Sequence, residues 1–258
     1  MYQFFVEENQ LVGNKISILS SDVNHMKNVL RMKIGERVRV SVSYNGRSFF
    51  CVIDSMTEDE VIVSIESEDK NGTELSNHIY LFQGLPKGDK MELIIQKAVE
   101  LGVYEIIPVA MKNCVVKLDD KKAGNKVKRW QAISESAAKQ SKRTLIPEVQ
   151  MPMTWKEAMK KAEELDVVLV PYECERGMET TREVIKTIQP GQNIAVFIGP
   201  EGGFSPEEIE GICPTNAGEG FSQVLEEKAH RISLGRRILR TETAGLATLS
   251  MLIFCLDE

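Results

Sequence analysis

The chain has 258 residues, of which 42% are hydrophobic and 27% charged, and its formal net charge is −6. That length buries a substantial core as one large or two small domains, and the composition is that of a globular protein. An acidic total argues against indiscriminate binding to nucleic acid.

Residues 1–66 read as short strands. Phe4-Phe5-Val6 opens the chain, Arg37–Ser43 alternates strictly, and Ser48–Ile53 and Val61–Ile65 follow. Asn45-Gly46 between two of these runs is a strong hairpin signal. Several short strands with turn chemistry describe a small barrel. His25–Met32 reads as a short helix before it. Arg31, Lys33, Arg37, Arg39 and Arg47 are candidates for a phosphate-facing patch. Glu66–Asn77 is polar and poor in apolar residues, which makes it the linker candidate.

Beyond the linker the rhythm becomes α/β. His78–Phe82 is a strand ending near Gly84. Met91–Leu101 has apolar residues at helical spacing, with Gly102 placed as its C-terminal stop. Tyr104–Val109 is a strand, Asn125–Ser141 and Trp155–Leu165 are helices, Val167–Val170 is a buried strand, and Thr180–Ile188 is a helix. Ile194–Ile198 is apolar throughout, as a strand buried on both faces is, and it stops at Gly199-Pro200-Glu201-Gly202-Gly203. Ser205, Pro206 and Glu208 then form a capping box with proline at the first helical position. A helix follows Thr243. Strands alternating with helices predict a mainly parallel sheet, whose ligands bind beyond the carboxyl ends of the strands. Taken alone, Gly199–Gly203 reads as a tight strand-to-helix turn. It matches neither a dinucleotide fingerprint nor a P-loop, and Glu201 with no lysine argues against a polyphosphate.

Charge is unevenly placed. Lys112–Arg143 carries ten lysines and arginines against three acids, and Lys228–Arg240 carries five and no acid. Basic segments on an acidic chain point to a defined polyanion site, although for Lys112–Lys128 a solvated helix face explains the charge equally well. The five cysteines are widely spaced without C-x-x-C, so neither zinc nor a disulfide framework is indicated and no metal site is expected. Reduced, mostly packed thiols suit a cytoplasmic protein. The first residues lack signal-peptide order, and the apolar tract Ala244–Leu256 is too short to span a bilayer.

Two segments together, GPEGGFSPEE at 199–208 and LGRRILRTETA at 234–244, resemble the RsmE-type family of SPOUT methyltransferases, and weaker similarity runs from HMKNVLRMKIGERV onward. The resemblance covers nearly the whole chain. It implies a PUA-like RNA-binding β-barrel over residues 1–70 and a SPOUT α/β domain with a trefoil knot over 71–258. It implies transfer of methyl from S-adenosylmethionine to N3 of a uridine in 16S ribosomal RNA, on naked RNA or on the assembled small subunit. It also implies a homodimer through the knotted domain, for which Ala244–Cys255 offers a surface.

Residue by residue, the resemblance places Leu234, Gly235, Ile238 and Leu239 on one side of the adenine. Leu169, Pro171, Tyr172, Gly199, Pro200, Glu201, Gly202 and Gly203 form the other wall. Arg240 is the first candidate for a catalytic residue, since a guanidinium beside uracil O2 or O4 stabilises the anion left when N3 loses its proton. Glu242 is a base or an anchor for Arg240, and Glu201 orients the cofactor or caps the next helix. Arg31, Gln140, Arg143 and Arg236 are the expected RNA contacts, with Arg237 on phosphate or merely solvated. His25 and Leu30 also match family positions. The chain departs from the family at Gln3 and Asn113, where arginine is frequent. Two other readings stay open: a SPOUT enzyme acting on another RNA such as transfer RNA, and a non-catalytic RNA-binding assembly factor.

Overall fold

A computed structural model describes residues 1–43, 46–70, 72–175, 177–214 and 223–257. The chain divides into two compact units. The first comprises Met1–Glu74 with Ala138–Ile146, and the second comprises Leu75–Ala137 with Pro147–Glu258.

The first unit is a six-stranded sheet: β1 (Tyr2–Val6), β2 (Leu11–Val12), β3 (Lys15–Leu19), β4 (Arg37–Val42), β5 (Ser48–Met56) and β6 (Glu60–Glu68), in the order β1-β4-β5-β6-β3-β2. Only β1 and β4 pair in parallel. The Asn45-Gly46 turn falls on Tyr44 and Asn45, outside the described residues. Sequence periodicity missed β2 and β3, which are short. The expected helix at 25–32 starts earlier: α1 (Ser21–Asn24) runs into a π-turn at His25–Val29, and Arg31 ends it at φ +53°. His25 is exposed.

Strict alternation in Arg37–Ser43 predicts one wet face, and here the structure differs. Every residue of β4 after Arg37 is buried, Arg39 and Ser41 included. Arg39 donates to Ser48 Oγ and to the Lys142 carbonyl, and pairs with Asp69. It therefore leaves the expected phosphate patch, because a buried guanidinium is kept by its partners. Arg37 and Arg47 are ion-paired with Glu66 and Glu68. The linker is shorter than expected. Glu66–Glu68 belong to β6, and Glu74 accepts from Arg143 Nε at 2.7 Å and from the Thr144 amide.

The second unit holds a fully parallel sheet, ordered β10-β8-β7-β12-β11-β13. Its strands are β7 (His78–Gly84), β8 (Glu105–Ala110), β9 (Glu148–Val149), β10 (Met153–Thr154), β11 (Val167–Pro171), β12 (Asn193–Ile198) and β13 (Ala229–Ile232), with β9 also on β8. The helices are α2 (Lys90–Glu100), α3 (Asp120–Ser141), α4 (Trp155–Ala162), α5 (Glu179–Thr187), α6 (Pro206–Ile212), α7 (Gln223–Lys228) and α8 (Thr241–Leu256). Met91, Ile94, Ile95 and Ala98 are buried on α2, as their spacing requires, and Gly102 follows at φ +81°. The capping box at Ser205 and Glu208 forms as read. Phe82 of β7 and Phe197 of β12 stack at 4.3 Å in the core, each fully buried and worth about 2 kcal/mol of apolar transfer.

Strand order reverses between β7 and β12. After β7 the chain builds toward β8; β11 and β13 lie on the other side of β12. The carboxyl ends at this switch point are where an open parallel sheet leaves a crevice. Among the described residues no helix is long and apolar enough to cross a membrane, and no acidic, histidine and cysteine groups gather to hold a metal.

Candidate functional site

At that switch point Gly199–Gly203 leaves β12. Pro200 accepts from the Gly203 amide at 2.9 Å, so the loop closes as a turn. A side chain at Gly199 would lie 3.2 Å from the backbone of Gly203 and Phe204, and Gly203 itself has φ +66°. The loop crosses the end of β7 over Gly84, where a Cβ would come within 2.7 Å of Pro200 N. Only glycine leaves room for that crossing.

The opposite wall is the loop from Ser233 to Arg240. Thr181 of α5 holds it, accepting from the Ser233 amide at 2.9 Å, and Gly235 bends it at φ +102°. The Tyr172 amide donates to the Ile232 carbonyl at 3.0 Å, which ties the end of β11 to the same loop. Three loops thus surround a cavity of about 410 Å³.

Most of the expected cofactor residues line it: Pro171, Tyr172, Gly199, Pro200, Glu201 and Gly203 on one side, Leu234, Gly235, Ile238 and Leu239 on the other. Arg236, Arg237 and Arg240 line it too. Three expected residues do not. Leu169 is wholly buried inside β11. Gly202 turns toward Asn113, whose Nδ2 donates to the carbonyls of Gly202 and Gly203 at 3.1 and 3.2 Å. Glu242 lies behind Lys90. The departures at Asn113 and Gln3 thereby acquire roles. Asn113 braces the glycine loop, and Gln3 is buried in the first unit, donating to Ser41 Oγ and the Arg143 carbonyl.

Two site residues are held differently from the sequence reading. Glu201 does not cap α6, whose cap is Ser205. It accepts from the Lys87 amide at 3.1 Å and from Lys90 Nζ at 2.8 Å. Burial opposes its charge, but these hydrogen bonds outweigh burial and hold its pKa below the usual value. Glu242 pairs with Lys90 at 3.4 Å rather than with Arg240. Lys90, raised in pKa chiefly by its bond to Glu201, is the residue that sequence reading missed. Its only signal was a lone lysine at the start of a helix, with nothing to tie it to Glu201 or Glu242.

Arg236, Arg237 and Arg240 are exposed, and among the described residues none has an ion-pair partner. Arg240 is the N-cap residue of α8, its carbonyl accepting from Ala244 at 2.8 Å. Of the other expected RNA contacts, Arg31 and Gln140 are exposed. Arg143 is not: it is 3% exposed and locked to Glu74, so its charge serves the fold of the first unit.

The cavity sets the glycine loop on one side against Leu234, Ile238 and Leu239 on the other. Gly199 and Gly203 leave backbone open on one wall, beside Tyr172, Pro200, Glu201 and Phe204. Ile238 on the other is 81% exposed, an apolar side chain that a flat apolar ring would cover. A parallel sheet with such a cleft at its switch point is the frame of a nucleotide-cofactor enzyme. The model of an RNA methyltransferase domain matches residues 73–253, and that of an RNA methyltransferase PUA domain matches residues 20–66. The chain belongs to the ribosomal RNA small subunit methyltransferase E family. It is 34% identical to the member from Bacillus subtilis over 98% of this chain and 96% of that one. It is 32% identical to the member from Mesomycoplasma hyopneumoniae over 98% and 99%. A crystal structure of the Neisseria gonorrhoeae member bound to S-adenosylmethionine superposes with a TM-score of 0.77 at 29% identity, covering 98% and 97% of the two chains. A Legionella pneumophila methyltransferase with bound S-adenosylmethionine gives 0.78 at 30%, covering 98% and 97%.

Proposed function

We propose that this protein uses S-adenosylmethionine to methylate N3 of a uridine in 16S ribosomal RNA of the small subunit. One observation carries the reading. The cavity joins the glycine loop to an apolar wall, and Arg240, which has no ion-pair partner among the described residues, lines it. S-adenosylmethionine supplies an electrophilic methyl group on its sulfonium. The glycine loop and Leu234, Ile238 and Leu239 grip and orient the adenosine part. Lys90 pairs with Glu201 at the cavity and with Glu242 behind it. Arg240 donates to a uracil carbonyl oxygen, which stabilises the anion formed when N3 gives up its proton. The N3 proton passes to solvent, the N3 lone pair then approaches the methyl carbon in line, and the C–S bond breaks to release S-adenosylhomocysteine, so the protein's part is positioning.

The first unit, Met1–Glu74 with Ala138–Ile146 rather than residues 1–70 alone, binds RNA and the second carries the chemistry. The PUA domain match supports this division. The chain works in the cytoplasm, where the small subunit is assembled. A knotted C-terminal segment is what membership of the RNA methyltransferase family leads us to expect.

The deciding experiment is nucleoside mass spectrometry of ribosomal RNA from a strain lacking this gene, before and after complementation. Loss and return of 3-methyluridine in 16S RNA is the expected result. An unchanged 16S profile with a lost modification in transfer RNA would overturn the substrate. No S-adenosylmethionine binding by calorimetry would leave only an RNA-binding protein.

Gly203 tests the cavity and Phe254 the assembly. Gly203→Val forces a branched residue to φ +66°, at about 1–2 kcal/mol, and puts its side chain into the cleft. Affinity for S-adenosylmethionine should fall at least about tenfold in a folded protein, and an unchanged titration would remove Gly203 from the site. Phe254 on α8 is 89% exposed, and a homodimer would cover it. Phe254→Asp should shift the sedimentation of a dimer to that of a monomer, while a parent protein already monomeric at micromolar concentration would refute the dimer.

A further inference from the structure

Gln83, near the end of β7, is wholly buried. Its Nε2 donates to the Gly84 carbonyl at 3.0 Å and to Thr241 Oγ1 at 2.9 Å. A carbonyl only accepts, so the nitrogen of the amide, not its oxygen, must face Gly84. That choice fixes the next bond. Thr241 Oγ1 accepts from Gln83, and its one proton goes to the Gly199 carbonyl at 2.6 Å. Thr241 is 6% exposed, so water does not compete. Gln83 Oε1 is left as a buried acceptor without a hydrogen bond, a cost the fold accepts to keep this polarity.

The chain of bonds joins both walls of the cavity. Gly199 begins the glycine loop, and Thr241 follows Arg240 directly. Fixing the Gly199 carbonyl fixes the planar peptide to Pro200. The proline ring then sets the next φ, and the Gly203–Pro200 hydrogen bond closes the turn. Few torsions remain free after the hydroxyl is in place. We infer that Gln83 and Thr241 are positioning residues, a latch that holds the glycine loop for bound S-adenosylmethionine and sets Arg240 beside it for the uracil. This rests on the cofactor reading above.

The test compares Thr241→Val, which keeps the shape and loses the hydroxyl, with Thr241→Ser, which keeps the hydroxyl. S-adenosylmethionine affinity is measured by calorimetry, and hydrogen–deuterium exchange is followed over residues 199–204 and over β7 and β12, at a temperature where circular dichroism shows each variant folded. The valine variant should bind at least about tenfold more weakly, since one lost buried hydrogen bond is worth about a factor of ten. Its exchange should rise in 199–204 and not in the strands. The serine variant should stay within about threefold of the parent. Parent-like binding by the valine variant, or exchange raised evenly through the sheet, would overturn the latch and leave Thr241 a packing residue. If the valine variant does not fold, Thr241→Ala is judged by the same two outcomes. A parent protein that fails to bind S-adenosylmethionine would refute the cofactor reading instead.

Discussion

Arg240→Lys should lower the single-turnover methylation rate about a hundredfold, the loss expected when one well-placed donor to a developing anion is removed. Lysine keeps the charge but not the planar pair of donors. The structure makes this a clean test, because Arg240 is exposed, lines the cavity and has no ion-pair partner among the described residues. Stability should therefore be unchanged. RNA affinity at fixed salt should change little, since one contact among many phosphate contacts contributes a small part. Arg237→Lys, also exposed on the same loop, should be nearly silent. A parent-like rate, or a rate that falls only in step with RNA affinity, would make Arg240 a binding residue.

Gly84→Val should abolish measurable cofactor binding and lower stability by about 1–3 kcal/mol, the usual cost of forcing bulk into a packed site. Its first added carbon would stand 2.7 Å from Pro200 N, 2.8 Å from Pro200 Cδ and 3.0 Å from Met111 Sδ. Two of those atoms belong to a proline, which cannot rotate away, so the glycine loop itself must lift. Urea denaturation and calorimetry on the same preparation measure both effects. Normal binding with a normal midpoint would mean that the loop does not depend on this crossing.

The local signals of the chain were legible because they arise from neighbours in sequence. An apolar run with no alternation gave β12, and the Ser205–Glu208 box gave the start of α6. Helical spacing gave the buried face of α2. The family of the chain was legible in GPEGGFSPEE and LGRRILRTETA, because the resemblance rests on two contiguous motifs. The C-terminal helix was legible too, though it begins at Thr241 rather than after Thr243.

What only tertiary structure decided was the pairing of groups far apart in sequence. Sequence counts charges, whereas folding pairs them. Arg143 belonged to the basic run from Lys112, but it spends its charge on Glu74, and Lys139 spends its on Asp22. Arg39 alternated like a surface residue and lies buried, because strand β4 is covered on both faces. Leu169 stood close to the ligand in sequence, yet the pleat turns it into the core. Nothing local tied Lys90, Gln83 or Thr241 to the groups they hold. Each matters only because a parallel sheet brings the ends of β7 and β12 together, 114 residues apart at Gly84 and Ile198, and returns the start of α8 beneath them.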